Sequence, residues 1–261
     1  MILMGAVLSN CKTIESSQAC PNKGPGLSTE GFKGSNLPLK SLTFIFSGGP
    51  GGKTGEIVDY LYSNQIQAAF FATGHLIEEH KEHLSEARRK SHLVGISNFS
   101  GKLFSNKSDI VLDVRQADRL VTPYVSANKF LYSPILGQYK RSDMNKLNKA
   151  GLRKYTGPIL WDIGHGTQGF LSDKECWEVG YTVGTCADNY IKQIKALEKG
   201  IVAFHTTTGE TLELVKTIVP TLVATGFQFV RLDQIPDIRA QIQANGGLMS
   251  SPDSTPSCED Y

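Results

Sequence analysis

The chain carries, at residues 44–50, the run Phe44-Ile45-Phe46-Ser47-Gly48-Gly49-Pro50. An apolar run that stops at a glycine–proline turn predicts a buried strand whose last residues reach the mouth of a site. In barrels of parallel strands, catalytic groups lie at this end of a strand. Here the two residues before Gly49-Pro50 are Ser47 and Gly48, and neither is charged. The position is typical of an active site, but its ionisable groups are missing.

Strand-like and helix-like segments alternate along the rest of the chain. Apolar stripes at helical spacing occur at residues 190–197 and 215–222, and such alternation predicts parallel strands joined by crossover helices. A count of about seven strand-like runs favours a barrel, and an open three-layer sheet is the alternative. The runs lie at 42–46, 68–71, 93–96, 130–133, 159–162, 201–204 and 227–230.

The length and composition predict one large domain, because 261 residues with 40% hydrophobic content can bury a substantial core. Both ends are rich in Ser, Pro and Gly, so we expect an N-terminal extension over 1–40, a barrel over 41–244 and a C-terminal tail over 245–261. A net charge of +2 is too small to indicate nucleic-acid binding. No apolar run is long enough for a membrane span. The apolar start at residues 1–8 lacks a basic region and is at most a signal remnant.

The five cysteines are sparse and favour a secreted protein, although reduced thiols in a cytosolic protein are the alternative. In a secreted protein we expect Cys176 to pair with Cys186, and Cys20 or Cys11 to pair with Cys258. Two glycosylation sequons, at residues 98–100 and 106–108, fit the same location. The expected location is therefore extracellular, or a cell or spore wall.

Several segments share the frame of one known family. Phe46-Ser47-Gly48-Gly49-Pro50 resembles a motif that usually reads Phe-Asp-Asp-Gly-Pro, and residues 92–101 lie where the family has His-Glu-Ile-Gly-Asn-His-Thr-x-Ser-His. Residues 133–137 fall on an Arg-Pro-Pro-x-Gly motif, and 201–205 resemble a final Leu-x-His strand. The frame, over residues 41–236, resembles the polysaccharide deacetylases, the NodB-type carbohydrate esterases that include the chitin deacetylases. The resemblance implies a distorted (β/α) barrel.

The resemblance also implies a defined chemistry. The family holds a divalent metal, usually zinc, with one carboxylate and two imidazoles, and the metal lowers the pKa of a bound water. A second carboxylate acts as base and a histidine as acid. Carried over by position, the base falls on Ser47 and the metal carboxylate on Gly48. The two imidazoles fall on Ser97 and Gly101.

The remaining family positions are also mostly changed. The base-orienting arginine falls on Ser133 and its aspartate partner near Thr167, and only His205 keeps the family residue. Glycine has no side-chain ligand atom and neutral serine is a poor ligand. We therefore expect a catalytically inactive homologue without a metal cofactor. Its expected role is structural or binding, with chitin, another wall polysaccharide or a wall protein as partner.

Two other functions stay open. One is an active metal-dependent N-deacetylase that uses substituted residues around His205, for which Asp162, His165 and His205 form a competent ligand set; the ordinary interpretation is a strand-end aspartate and a loop histidine. The other is a P-loop nucleotide-binding protein, since residues 47–54 lie between a strand and a helix and include Lys53. Against it, the loop is one residue short when counted from Gly48, and its proline lacks an amide donor.

Aromatic and histidine-rich segments complete the candidates. Trp177, in a loop beside Cys176, and Leu136 are candidate sugar contacts, whereas Trp161 on an apolar strand is expected in the core. His75, His80 and His83 lie among glutamates. Such runs are usually solvated helix faces with ion pairs, and we expect that here.

Overall fold

Strand β1 (Ser41–Gly49) lies inside a parallel sheet and carries the run that ends in Ser47-Gly48-Gly49-Pro50. The structure is a computed structural model, and it describes residues 24–104, 109–164 and 170–249. The other strands are β2 (Ala69–Ala72), β3 (Leu93–Ile96), β4 (Lys199–Phe204) and β5 (Gln228–Phe229). β1 pairs on one side with β4, from Ser41 opposite Lys199 to Phe46 opposite Phe204, and on the other with β2 and β5. The main sheet order is β3-β2-β1-β4.

Helices connect the parallel strands, as the alternating sequence pattern predicts. They are α1 (Thr54–Ser63), α2 (Gly74–Ile77), α3 (Lys81–Arg89), α4 (Ile110–Val121), α5 (Arg141–Lys149), α6 (Asp173–Glu178), α7 (Val183–Leu197), α8 (Gly209–Ala224) and α9 (Pro236–Ala244). The predicted stripe on α8 is buried from Val215 to Leu222. On α7, Tyr190 and Ile194 are buried, whereas Leu197 is exposed. Thr182 and Thr208 cap these two helices, each accepting a hydrogen bond from a first-turn amide.

The two faces of the sheet bury separate apolar clusters. Phe44, Phe46 and Phe204 pack on the helix-covered face, whereas Ile45 and Trp161 belong to a second, inner cluster. Side chains alternate across a strand, so an almost continuous apolar run is what a strand with both faces covered requires. This explains why residues 42–46 are apolar except for the buried Thr43.

The expected count of about seven strands is too high; the described residues hold five named strands. The runs at 130–133 and 159–162 form isolated parallel bridges instead, with Tyr132 beside Ile96 and Leu131 beside Thr156. A further bridge joins Ile163 to Val202 of β4. Pro134 directly follows the first run and Pro158 directly precedes the second, and proline cannot donate to a strand ladder. The expected α/β deacetylase-type fold is confirmed, with its far side made of bridges rather than regular strands.

Both ends of the described chain pack on the domain. Leu27 is buried, and the side chain of Asn245 accepts a hydrogen bond from the amide of Gly26 and donates one to the carbonyl of Tyr155. The division at residues 40 and 245 stays a prediction. Among the described residues, every helix is too short or too polar to cross a bilayer.

Candidate active site

Four parallel strands deliver their last residues to one edge of the sheet. Ser47 lies near the end of β1, and Thr73, Ser97 and His205 directly follow β2, β3 and β4. Because Phe46 pairs with Phe204, His205 comes level with Ser47. The carboxyl ends of parallel strands are where sites form in such folds. The positions predicted from the sequence motifs therefore come together in space.

A bulge shapes the end of β1. Phe46 pairs with Phe70 and Gly49 pairs with Ala72, so two β1 residues, Ser47 and Gly48, lie opposite the single β2 residue Phe71. One extra residue is therefore inserted in β1 at this point, which is a β-bulge. Gly48 has φ +74°, and a Cβ there would lie 2.6 Å from the backbone oxygen of His205. An L side chain is strained in that conformation. The residue at the metal-carboxylate position thus has neither a ligand atom nor room for one.

The other former ligand positions are no better suited to zinc. Ser97 is buried, and its Oγ, like that of the neighbouring Thr73, has no hydrogen-bond partner among the described residues. Gly101 has φ +68°, and a Cβ there would lie 3.1 Å from both His75 Cε1 and Thr73 Cγ2. Two glycines and a neutral hydroxyl do not make a zinc ligand set. The residues present at these positions do not fit the family metal.

The hydroxyl groups of Ser47 and Ser133 both contact backbone carbonyl oxygens. The Ser47 hydroxyl makes a long contact of 3.5 Å to the carbonyl oxygen of Phe204. Ser133 is buried, and its hydroxyl donates to the carbonyl oxygen of Ile159 at 2.9 Å. Ser133 therefore ties two irregular segments together where the family resemblance places an arginine.

His205 keeps an acidic partner, which the sequence reasoning missed. Asp173 Oδ1 lies 2.8 Å from the His205 amide nitrogen and 3.3 Å from its Nδ1. Asp173 is the first residue of α6, behind Ser172, which forms a capping box with Glu175. The Ser-x-x-Glu spacing was a usable signal for this helix start. No local pattern pointed from Asp173 to a histidine 32 residues away.

Asp173 is fully buried and densely hydrogen-bonded. Its Oδ2 accepts from the hydroxyls of Thr206 and Thr211, both at 3.0 Å. Burial alone would raise the pKa of Asp173, but the hydrogen bonds and the charge interaction with His205 together hold it below its usual value. An ionised Asp173 favours the His205 tautomer with its proton on Nδ1, which leaves Nε2 as the acceptor.

A cleft of about 640 Å³ opens beside His205. Trp161 lines it and meets the His205 ring edge-on, with centroids 5.0 Å apart. Leu136, about half exposed, lies on the rim. The lining also includes charged and polar side chains, among them Lys33, Gln138, Lys174, Glu175 and Glu178. A concave site with an apolar patch and several polar groups is suited to a small or extended polar ligand.

Comparison with known proteins agrees with this geometry. A model of the polysaccharide deacetylase family matches residues 34–155. PdaA of Bacillus subtilis, a family 4 carbohydrate esterase, superimposes with a TM-score of 0.64 at 18% identity, covering 81% of this chain and 86% of PdaA. Residues 34–155 of the chain therefore match the polysaccharide deacetylase family, and its fold is deacetylase-like.

Two further relatives bear on the deacetylase-like protein. This chain is 22% identical over 201 residues to an uncharacterized 30.6 kDa protein in the fumA 3′ region of Geobacillus stearothermophilus. The aligned residues make up 75% of this chain and 71% of that protein. BA3943 of Bacillus anthracis, a CE4 family pseudoenzyme, has a TM-score of 0.58 at 16% identity, with 76% and 65% of the two chains covered. A mutant of BA3943 with restored enzymatic activity has the same TM-score. At these structural identities the likeness shows the fold.

Trp177 in the deacetylase-like protein is not among the residues that line the cleft. It is half-buried against the main core, and its Nε1 donates to Thr211 Oγ1 at 3.3 Å. Trp161 packs in the inner core, as expected, while also lining the cleft. Of the two predicted sugar contacts, only Leu136 lies at the cleft.

The alternative ligand set is not assembled by the described residues. Asp162 Oδ2 accepts from the amides of Gly34 and Ile201, at 2.8 and 2.9 Å. These bonds hold the Asp162 carboxylate beside Ile201, near the start of β4, whereas His205 lies beyond the end of that strand. Four residues of strand, roughly 13 Å, separate Ile201 from His205. His165 and Thr167 lie outside the described residues.

The loop that resembles a phosphate cradle directs its amides inward. The Gly51 amide donates to Thr54 Oγ1, the Lys53 amide to the Thr207 carbonyl and the Thr54 amide to the Gly51 carbonyl. The Lys53 ammonium pairs with Glu56 at 2.6 Å. A P-loop needs these donors for phosphate, so the nucleotide interpretation loses its geometric basis.

The structure describes one of the predicted disulfides and one of the two predicted glycosylation sites. Cys176 and Cys186 form a disulfide between α6 and α7, as expected. Cys11, Cys20 and Cys258 lie outside the described residues. Asn98 is buried, and its amide nitrogen donates to the Lys102 carbonyl at 2.8 Å, so a glycan does not fit there in the folded protein. Asn106 lies outside the described residues.

Proposed function

We propose that this protein is a non-catalytic polysaccharide deacetylase-like protein that binds a polysaccharide. The observation that carries the proposal is the Gly48 backbone, where no side chain fits against the His205 carbonyl. Together with Ser47, Ser97 and Gly101, it leaves the family position for the metal without carboxylate or imidazole. Without a metal to activate water, no competent nucleophile is available to attack the N-acetyl amide bond of a polysaccharide.

The proposed ligand site is the cleft beside His205 and Trp161. An aromatic side chain and several polar groups suit a saccharide, which presents both an apolar ring face and hydroxyl groups. Chitin or another wall polysaccharide is the proposed partner, and a wall protein is the alternative. The Cys176–Cys186 disulfide supports a secreted or wall location, because disulfides persist in oxidising compartments.

Acetate release from chitin oligosaccharides tests the missing activity. The full chain is assayed with added zinc, cobalt or nickel, beside His205→Ala as a matched control. We expect equal background rates for both proteins. Turnover of the wild-type chain above that of His205→Ala would reject the non-catalytic proposal.

Retention on insoluble chitin and on other wall polymers tests binding. Lys174→Ala and Gln138→Ala alter the cleft lining, whereas Trp177→Phe changes an aromatic residue outside that lining. We expect both cleft variants to lose retention and Trp177→Phe to keep it. Wild-type protein that passes through every polymer column would favour a protein partner instead.

One observation favours the second candidate, an active amide hydrolase. The Asp173–His205 pair is intact, and a positioned histidine contributes about a hundred- to ten-thousand-fold to proton transfer. Such catalysis still needs a nucleophile. Loss of acetate release in both Asp173→Asn and His205→Ala, from a measurable wild-type rate, would support this candidate over the first.

A further inference from the structure

Three side chains with metal-binding atoms converge at the start of α3, away from the strand ends. His80 directly precedes α3, and Glu82 and His83 lie in its first turn. One ligand atom from each of the three lies within 4.8 Å of the others. The two imidazole rings are nearly parallel, with an interplanar angle of 18° and centroids 5.7 Å apart.

Both histidine side chains are largely shielded from solvent. Their exposed fractions are 21% for His80 and 23% for His83. The His83 ring lies over Gly55 in the first turn of α1, where a Cβ would come within 2.8 Å of Nδ1. Glycine in a helix is disfavoured relative to alanine. At this place it provides the space in which the His83 ring sits.

The carboxylate distances fit a shared cation better than direct hydrogen bonds. Glu82 Oε1 lies 3.7 Å from His83 Nε2, and Glu79 Oε1 lies 3.9 Å from His80 Nε2. Both distances exceed a hydrogen bond. Ligand atoms around a tetrahedral zinc ion with bonds of roughly 2.0–2.1 Å stand about 3.4 Å apart. Small side-chain rotations would close the cluster around such an ion.

We propose that His80, Glu82 and His83 form a binding site for a zinc-class divalent cation. Two imidazoles and one carboxylate select zinc, cobalt, nickel or copper over magnesium and calcium, which prefer all-oxygen sites. Three protein ligands leave a fourth position for water or for Glu79. The expected solvated helix face thus has a specific use.

This site and the strand-end site share no residue, so the two proposals fail independently. A metal found in the purified protein does not by itself restore the family chemistry. It must first be assigned to one place or the other by substitution.

Zinc is titrated into the chelator-treated full chain, and the binding is measured by calorimetry. Cobalt absorption spectroscopy provides a second readout of the ligand field. The variants are His80→Ala, His83→Ala and Glu82→Gln, and His75→Ala is the control, since it removes a neighbouring histidine outside the cluster. Removing a group that only hydrogen-bonds to a metal ligand costs about 10- to 100-fold in metal affinity, so we expect at least that loss for either cluster histidine and no change for His75→Ala.

Gly55→Ala adds a test that removes no ligand. An added methyl group displaces the His83 ring, so we expect weaker zinc binding with a shifted cobalt spectrum. Zinc binding that persists in the His80→Ala/His83→Ala double variant would overturn the proposal, and so would wild-type protein that takes up no zinc. In the latter case the cluster would be an ion-paired helix start only.

Discussion

The backbone oxygen of His205 occupies the space that a side chain at Gly48 would need, 2.6 Å from an ideal Cβ. In the conformation that this chain adopts, a side chain at residue 48 therefore has no room against the backbone of residue 205. A bulge between Phe46 and Gly49 produces the contact. A carboxylate introduced at residue 48 would therefore require this bulge to shift.

Gly48→Ala is expected to lower the free energy of unfolding by about 2–4 kcal/mol, because it adds left-handed backbone strain to a steric clash. Gly52→Ala is the matched control, since a Cβ at Gly52 meets nothing within 4 Å, and it should change stability by less than about 0.5 kcal/mol. Urea denaturation of the two variants measures the difference. Equal stabilities would show that the β1 bulge relaxes freely.

Asp173→Asn is expected to cost about 3 kcal/mol at pH 7, because it removes a buried charge with several donors aimed at it. The exposed Asp188→Asn serves as control. The pKa of Asp173 is lowered in the folded state, so its contribution is present above the unfolded pKa and disappears as the pH falls through the folded value. The stability gap between wild type and Asp173→Asn should therefore narrow below about pH 4. A gap that stays constant down to pH 2 would contradict an ionised Asp173.

His92 should make the fold sensitive to mild acid. It is buried, its Nδ1 accepts from the Ala68 amide at 3.0 Å, and its Nε2 lies 3.3 Å from the Val58 carbonyl. Burial lowers its pKa from 6.5 to about 4. A lowered folded pKa means that this stability is complete above pH 6.5 and is lost as the pH falls toward 4, by about 3 kcal/mol in all.

The control variant for this acid sensitivity is His92→Asn, which removes the titrating ring. The side-chain carbonyl oxygen of asparagine can still accept a hydrogen bond from the Ala68 amide. We expect its stability to vary less between pH 7 and pH 4.5 than that of the wild type, as measured by denaturant midpoints. Parallel pH profiles for the two proteins would assign the acid sensitivity to other groups.

The Cys176–Cys186 disulfide should stabilise the α6–α7 connection that carries Asp173. It closes a short loop, with a sequence separation of 10 residues, and a loop of this size predicts about 3 kcal/mol. The double variant Cys176→Ala/Cys186→Ala should lose that amount in chemical denaturation under oxidising conditions. Reduced wild-type protein should match the variant; a reduced wild type as stable as the oxidised one would refute the estimate.

Local patterns predicted several elements well and others poorly. The strand at 93–96 and the α8 stripe were predictable, because a buried apolar run and a helical repeat are properties of neighbouring residues. The run at 130–133 has the same apolar character but forms only bridges; Pro134 directly follows it, and proline cannot donate to a strand ladder. Trp177 was predicted as an exposed sugar contact, but its contact with Thr211 and the core depends on packing between distant segments.

The sequence by itself determined the alternation of strands and helices, the deacetylase frame and the absence of ionisable groups at residues 47, 48, 97 and 101. These are facts of residue type and order. Only the tertiary structure decided that Asp173 supports His205, that Asp162 lies toward the other end of β4 and that Gly48 has no room for a side chain. Each of these depends on where the backbone brings residues that are far apart in the chain, and the sheet register and the β1 bulge fix that placement.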